Sequence, residues 1–136
     1  MDRDIKYFAK KLVQLFPKCQ QEYQYFKHEG EISGHIYFGN SINPVLSELL
    51  EKNQDKDLIR KYIDFIEDMY NKGNDGVKNI VVVTILEYLG DDEAVLRNEF
   101  EYFSEDLMQA SKEIESYWGR RDIRIWRKRG KVFADW

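Results

Sequence analysis

The chain has 136 residues, 43% of them apolar and 15% aromatic, with only two prolines and eight glycines. That composition excludes disorder and suits one domain, residues 1–136, able to bury roughly two-thirds of its unfolded surface. The net charge of −4 is uneven: RRDIRIWRKRGK, from Arg120 to Lys131, carries seven basic residues and one acidic, a local +6 that leaves −10 for the rest.

In chain order, MDRDIKYFAKK places charges every few residues, and no stretch approaches about 18 apolar residues, so neither a secretory leader nor a membrane span is expected and a cytoplasmic location is. Ile5, Phe8, Leu12 and Leu15 fall on one face of a helix that Pro17 stops. Residues 18–40, KCQQEYQYFKHEGEISGHIYFGN, are the least helical stretch. They read either as a helix to about Lys27 followed by a loop, or as a small hairpin turning at Glu29 and Gly30. In NPVLSELLEKN, Asn43 and Pro44 have the order of an N-cap and a first helical residue.

An amphipathic helix follows from about 56 to 71: Leu58, Tyr62, Phe65, Ile66 and Met69 form its stripe, and Gly73 stands at its C-terminus. The run VKNIVVVTILEYL, residues 77–89, could be a strand with two apolar faces, but few other segments could pair with it. Its length of thirteen residues without Gly or Pro favours a helix walled in on most sides. From about 92 to 118, Leu96, Phe100, Phe103, Leu107, Ala110, Ile114 and Trp118 alternate steps of three and four behind an acidic first turn, which predicts one long helix. The tail IRIWRKRGKVFADW has the alternation of a short hairpin turning at Arg129 and Gly130. The expected fold is therefore all-α, a single antiparallel bundle of about five helices, with a β-hairpin admitted in 20–40 or at the C-terminus.

No residue set reaches a catalytic signature, so an enzyme is not expected. His28 and His35, with Glu29 and Glu31 between them, match no spacing that puts two metal ligands on one helix face. Cys19 is the only cysteine, which excludes an internal disulfide and a paired-cysteine metal or redox site. The glycines of GEISGHIYFG precede no strand-to-helix turn, and no nucleophile elbow is present. Glu67 and Glu87 could form a dicarboxylate site on adjacent helices, but neither helix carries the histidine a di-iron set needs. They read instead as structural charges, with Arg60 or Arg97 as partners. No cofactor or metal is expected.

The block from 61 to 121, carrying FIEDMY, TILEYL and a helix ending in IESYWG, resembles a group of small bacterial helical domains of unassigned activity. Some of these resemble immunity proteins of polymorphic toxin systems. The resemblance implies a compact cytosolic protein that binds a cognate toxin and covers its active surface, and it transfers no individual site residue.

Charge suggests where such a protein partner would bind. Asp64, Glu67, Asp68, Asp91, Asp92 and Glu93 are the candidate contacts of an acidic body that attracts a basic partner. The alternative is a nucleic-acid or anionic-surface binder acting through the tail, where Trp126 lies among Arg124, Arg127, Lys128 and Arg129. An acidic body repels a polyanion, so nucleic acid is the less favoured partner and a tail folded back on the body the more favoured arrangement.

Overall fold

The computed structural model describes residues 3–29, 34–118, 127–128 and 131–132, with side chains for 3–25 and 34–117. The described chain is all-α at its body. Seven helices follow in order: α1 (Arg3–Leu15), α2 (Gln20–Glu29) after a 3-10 turn at Pro17–Cys19, α3 (Gly34–Lys52), α4 (Lys56–Lys72), α5 (Asp75–Ile80, Val81–Leu86 and Glu87–Gly90 in unbroken succession), α6 (Glu93–Glu99) and α7 (Glu105–Trp118). Among the described residues no helix is long and apolar enough to cross a membrane. Arg127–Lys128 and Lys131–Val132 pair antiparallel, Arg127 opposite Val132; the remaining residues of the expected tail hairpin lie outside the described set.

Helix α3 is the hub, packed against α1, α2, α4, α5 and α6. Phe38, Ile42, Leu46 and Leu50 run along its inner face with no solvent exposure. Around it, Leu12 of α1, Ile59, Ile63 and Ile66 of α4, Val81 and Ile85 of α5 and Leu107 of α7 complete one continuous core. Phe16, just past α1, stacks on Tyr62 of α4 with ring centroids 3.9 Å apart, and Phe8 meets Phe65 edge to face at 6.1 Å. Lys61 holds the same corner by donating to the Leu15 carbonyl at 2.8 Å.

Three sequence expectations change: the hairpin in 20–40, the helix start at Asn43–Pro44, and the single helix over 92–118. The hairpin admitted in 20–40 is replaced by α2 and by the start of α3, which begins nine residues before Asn43. Asn43 is consequently not an N-cap: it lies inside α3, and its Nδ2 donates to the Thr84 carbonyl of α5 at 3.1 Å. Pro44 lies inside α3 on its exposed side, as does Asn40 four residues earlier, whose carbonyl a proline cannot pair. Gly73 ends α4 as expected, with φ −76 and ψ 160. Glycine is required for space: a Cβ would stand 2.6 Å from the Met69 carbonyl oxygen and closer still to the Val77 side chain.

The single long helix expected over 92–118 is two helices, which with α2 raises the count from five to seven. Phe100, Tyr102 and Phe103 are all buried, and residues two apart point to opposite sides of a straight helix. Breaking the helix at 100–104 lets all three rings enter the core. Ser104 then starts α7, its Oγ accepting from Leu107 N–H at 3.3 Å, while the Glu67 carboxylate accepts from Ser104 N–H at 2.7 Å.

The run 77–89 is helical, with one wide turn. Over Val81–Leu86 the helix is π-type, and Glu87 N–H donates to Val82 O five residues back. Buried residues follow at 77, 81, 85 and 89. A step of four overshoots a full turn of regular α-helix by about 40°, so this spacing would spiral off the core face without a wider turn to take up the excess. With it, one side stays inward; most of 77–89 is buried or half-buried, and Asn79, Val83 and Tyr88 are exposed.

Candidate functional site

The acidic residues singled out from the sequence divide between structural and exposed roles. Glu67 is spent on the start of α7, as above. Asp68 is held between Lys11 of α1 at 3.3 Å and Lys72 at 3.5 Å. Asp92 caps α6, its Oδ1 accepting from Ala94 and Val95 N–H at 2.9 and 3.2 Å. Glu93 meets Arg97 one turn on at 3.1 Å. Asp64 lies on the exposed side of α4, 3.9 Å from Arg60, and Asp91 is exposed in the short turn between α5 and α6. Asp64, Asp91 and Glu93 are exposed, and the pairs that Asp64 and Glu93 make one helical turn away hold their partners weakly.

The arginines expected as partners of Glu67 and Glu87 both make contacts elsewhere. Arg60 donates to the Tyr102 carbonyl at 2.7 Å and lies over the Tyr102 ring, 5.2 Å from its centroid, and Arg97 is on Glu93. Glu87 lies half-buried on α5. Among the described residues no group of three or more His, Cys, Asp and Glu is placed to hold a metal ion. His35 hydrogen-bonds through Nδ1 with the Thr84 hydroxyl, and the side chain of His28 lies outside the described residues. Cys19 is buried, and burial pushes its thiol up. Of the tail candidates, the side chains of Arg124, Trp126, Arg127, Lys128 and Arg129 lie outside the described residues.

Three features had little or no signal in the sequence reading. The first is a set of exposed tyrosines: Tyr7 at 58%, Tyr25 at 62%, Tyr88 at 50% and Tyr117 at 79%. Their helical spacing could have separated them from the core set, because Tyr7 adjoins Phe8 and Tyr88 adjoins Leu89 off the inner stripe. The second is a buried carboxyl. Glu99 of α6 has no exposure, its Oε1 accepts from Ser111 Oγ at 2.9 Å, and its Oε2 has no hydrogen-bond partner. Burial pushes this carboxyl well above the usual range and nearby Glu115 adds to the rise, while the Ser111 hydrogen bond opposes it. The third is the turn between α3 and α4, where Asn53 and Asp55 both take left-handed backbone conformations, φ 49 and φ 57. Asn53 is tied down, its amide donating to Glu101 at 3.2 Å and accepting from Tyr102 OH at 2.6 Å. Asp55 occupies the N-cap of α4 without making a capping bond through its side chain.

Acidic groups and tyrosine rings are thus both exposed on the helical body. No curated protein and no solved structure matches the chain. Residues 9–119 match the model of a family described as a domain of unknown function, DUF7674, and since that match covers most of the 136 residues, the chain belongs to this family.

Proposed function

We propose that this chain is a protein-binding module without catalytic activity, and that it acts in the bacterial cytoplasm as an immunity protein, neutralising a cognate toxin by covering its surface. The observation that carries the reading is the set of four tyrosines exposed by 50 to 79% on an acidic body. Tyrosine gives large contact area at small entropic cost and is enriched where interfaces concentrate their energy. Asp64, Asp91 and Glu93 add exposed negative charge, and the −10 carried outside the basic tail would steer a basic partner, as a nuclease toxin often is, toward rapid capture.

The test is co-expression with the toxin encoded beside the gene. Growth is rescued, and the purified pair forms a stoichiometric complex by calorimetry whose association slows as salt rises. Lysine at Asp64, Asp91 and Glu93 together slows association further, with little change in melting temperature. Unrescued growth and no complex would refute the reading.

A further inference from the structure

The turn between α3 and α4 opens onto a groove of about 420 Å³. Its apolar surface comes from Val45, Leu49 and Leu58. Val45 is 41% exposed, while Leu49 and Leu58 are partly buried against the core. An exposed valine alone asks for no explanation; its place beside two half-covered leucines in a concave surface does.

The charges on the rim are not equivalent. Lys52 and Glu48, one turn apart on α3, satisfy each other at 2.9 Å. Lys18, from the 3-10 turn, and Asp55 also line the groove, and neither has an ion pair among the described residues. At the start of a helix an aspartate ordinarily turns back to accept from the first free N–H groups. The left-handed conformation of Asp55 comes without that bond, so an unfavourable backbone state is held without the usual local return. Such outliers cluster where a side chain is presented to something else. The positive end of α4 favours the ionised carboxylate.

We propose that this groove takes a segment of a partner protein that lays an apolar side chain over Val45, Leu49 and Leu58 and sets a lysine or arginine on Asp55. A cation is the matching group because Asp55 is the rim acid without a partner, and because the acidic body draws basic surfaces toward it. Lys18 rejects a second cation and so fixes the direction in which the segment lies. The inference deepens the protein-binding reading and rests on it.

The experiment uses the full chain, labelled at its methyl groups and observed by NMR, with two probes: acetyl-Leu-Arg-amide and its charge-reversed control, acetyl-Leu-Glu-amide, at millimolar concentration. The Leu-Arg probe shifts the Val45, Leu49 and Leu58 methyls and binds up to about fivefold tighter than the control, the upper end of what an exposed ion pair supplies. Asp55→Asn abolishes that preference, and Val45→Asp, an exposed change the fold tolerates, abolishes binding of both probes. Absent methyl shifts, equal binding of the two probes, or a preference that survives Asp55→Asn would overturn the proposal. A toxin complex that forms equally well with wild type and with Val45→Asp would overturn the groove while leaving the protein-binding reading standing.

Discussion

Leu107→Ala probes the α7 side of the core, and the structure sets its size. Leu107 is fully buried, and its N–H donates to Ser104 Oγ at the start of α7. Alanine keeps that cap, so the loss reports the side chain alone. Three carbons disappear, which at about 0.8 kcal/mol each costs about 2.4 kcal/mol in transfer free energy. A cavity that fails to collapse carries the total toward about 5 kcal/mol. Asp106, the neighbouring residue, is exposed in the first turn, and Asp106→Ala loses about 0.3–1 kcal/mol of helix-dipole interaction. In urea, with a slope of about 2 kcal/mol per molar, Leu107→Ala lowers the unfolding midpoint by about 1.2–2.5 M and Asp106→Ala by about 0.5 M or less. Coincident midpoints would refute the inward assignment of Leu107.

Glu99→Gln gives a pH-dependent result. The raised carboxyl of Glu99 means the folded state holds a proton that the unfolded chain has released, so stability is retained below the ordinary glutamate range and falls as pH rises above it toward the folded value. The variant's melting temperature gains on wild type between pH 4 and pH 8; an equal difference at both ends would sink the argument. Gly73→Ala forces a Cβ against the Met69 carbonyl and destabilises by about 1–3 kcal/mol, which thermal unfolding reads; an unchanged or higher melting temperature would show that the α4–α5 turn yields. For the basic tail, gel-shift titration at low salt shows no nucleic-acid complex at micromolar protein, because the remainder of the chain carries −10. Tight binding that is steep in salt and lost on changing Arg124, Arg127, Lys128 and Arg129 to alanine would reverse that choice.

Periodic apolar stripes made the body readable from sequence. The inward faces of α1 and α4 come directly from residues such as Phe8, Leu12, Tyr62 and Ile66, and the residues marking the 92–118 stripe are buried through Ile114. Punctuation was harder. Ser104, followed by Glu105 and Asp106, is an N-cap with an acidic first turn, yet the stripe runs through it without a gap. Asn43–Pro44 carries the same kind of signal and is helix interior, because tertiary contact with Thr84 gives the asparagine another partner. Local cues state what a residue can do, and packing decides which option it takes. The acidic candidates show the same limit: charge picks out Asp68 and Asp92 as readily as Asp64, and only placement reveals which carboxylates carry bonds that hold the fold. The buried Glu99 could not be read from spacing, since its burial and its bond to Ser111 come from a residue twelve positions on in another helix.

The wide turn in α5 has a bearing on how this chain can vary in length. A residue removed from an ordinary helix rotates everything beyond it by about 100°, which would carry Leu89 from the core to the surface. Within Val81–Leu86 the arithmetic differs, because that turn already holds more chain than a regular one. Dropping one residue there changes the spacing 77, 81, 85, 89 into 77, 81, 84, 88, the three-and-four pattern that a regular helix buries on one face. Relatives one residue shorter in this stretch can therefore keep both ends of α5 against the same neighbours, and an alignment gap at 81–86 would mark a change of helix type in an otherwise unaltered fold.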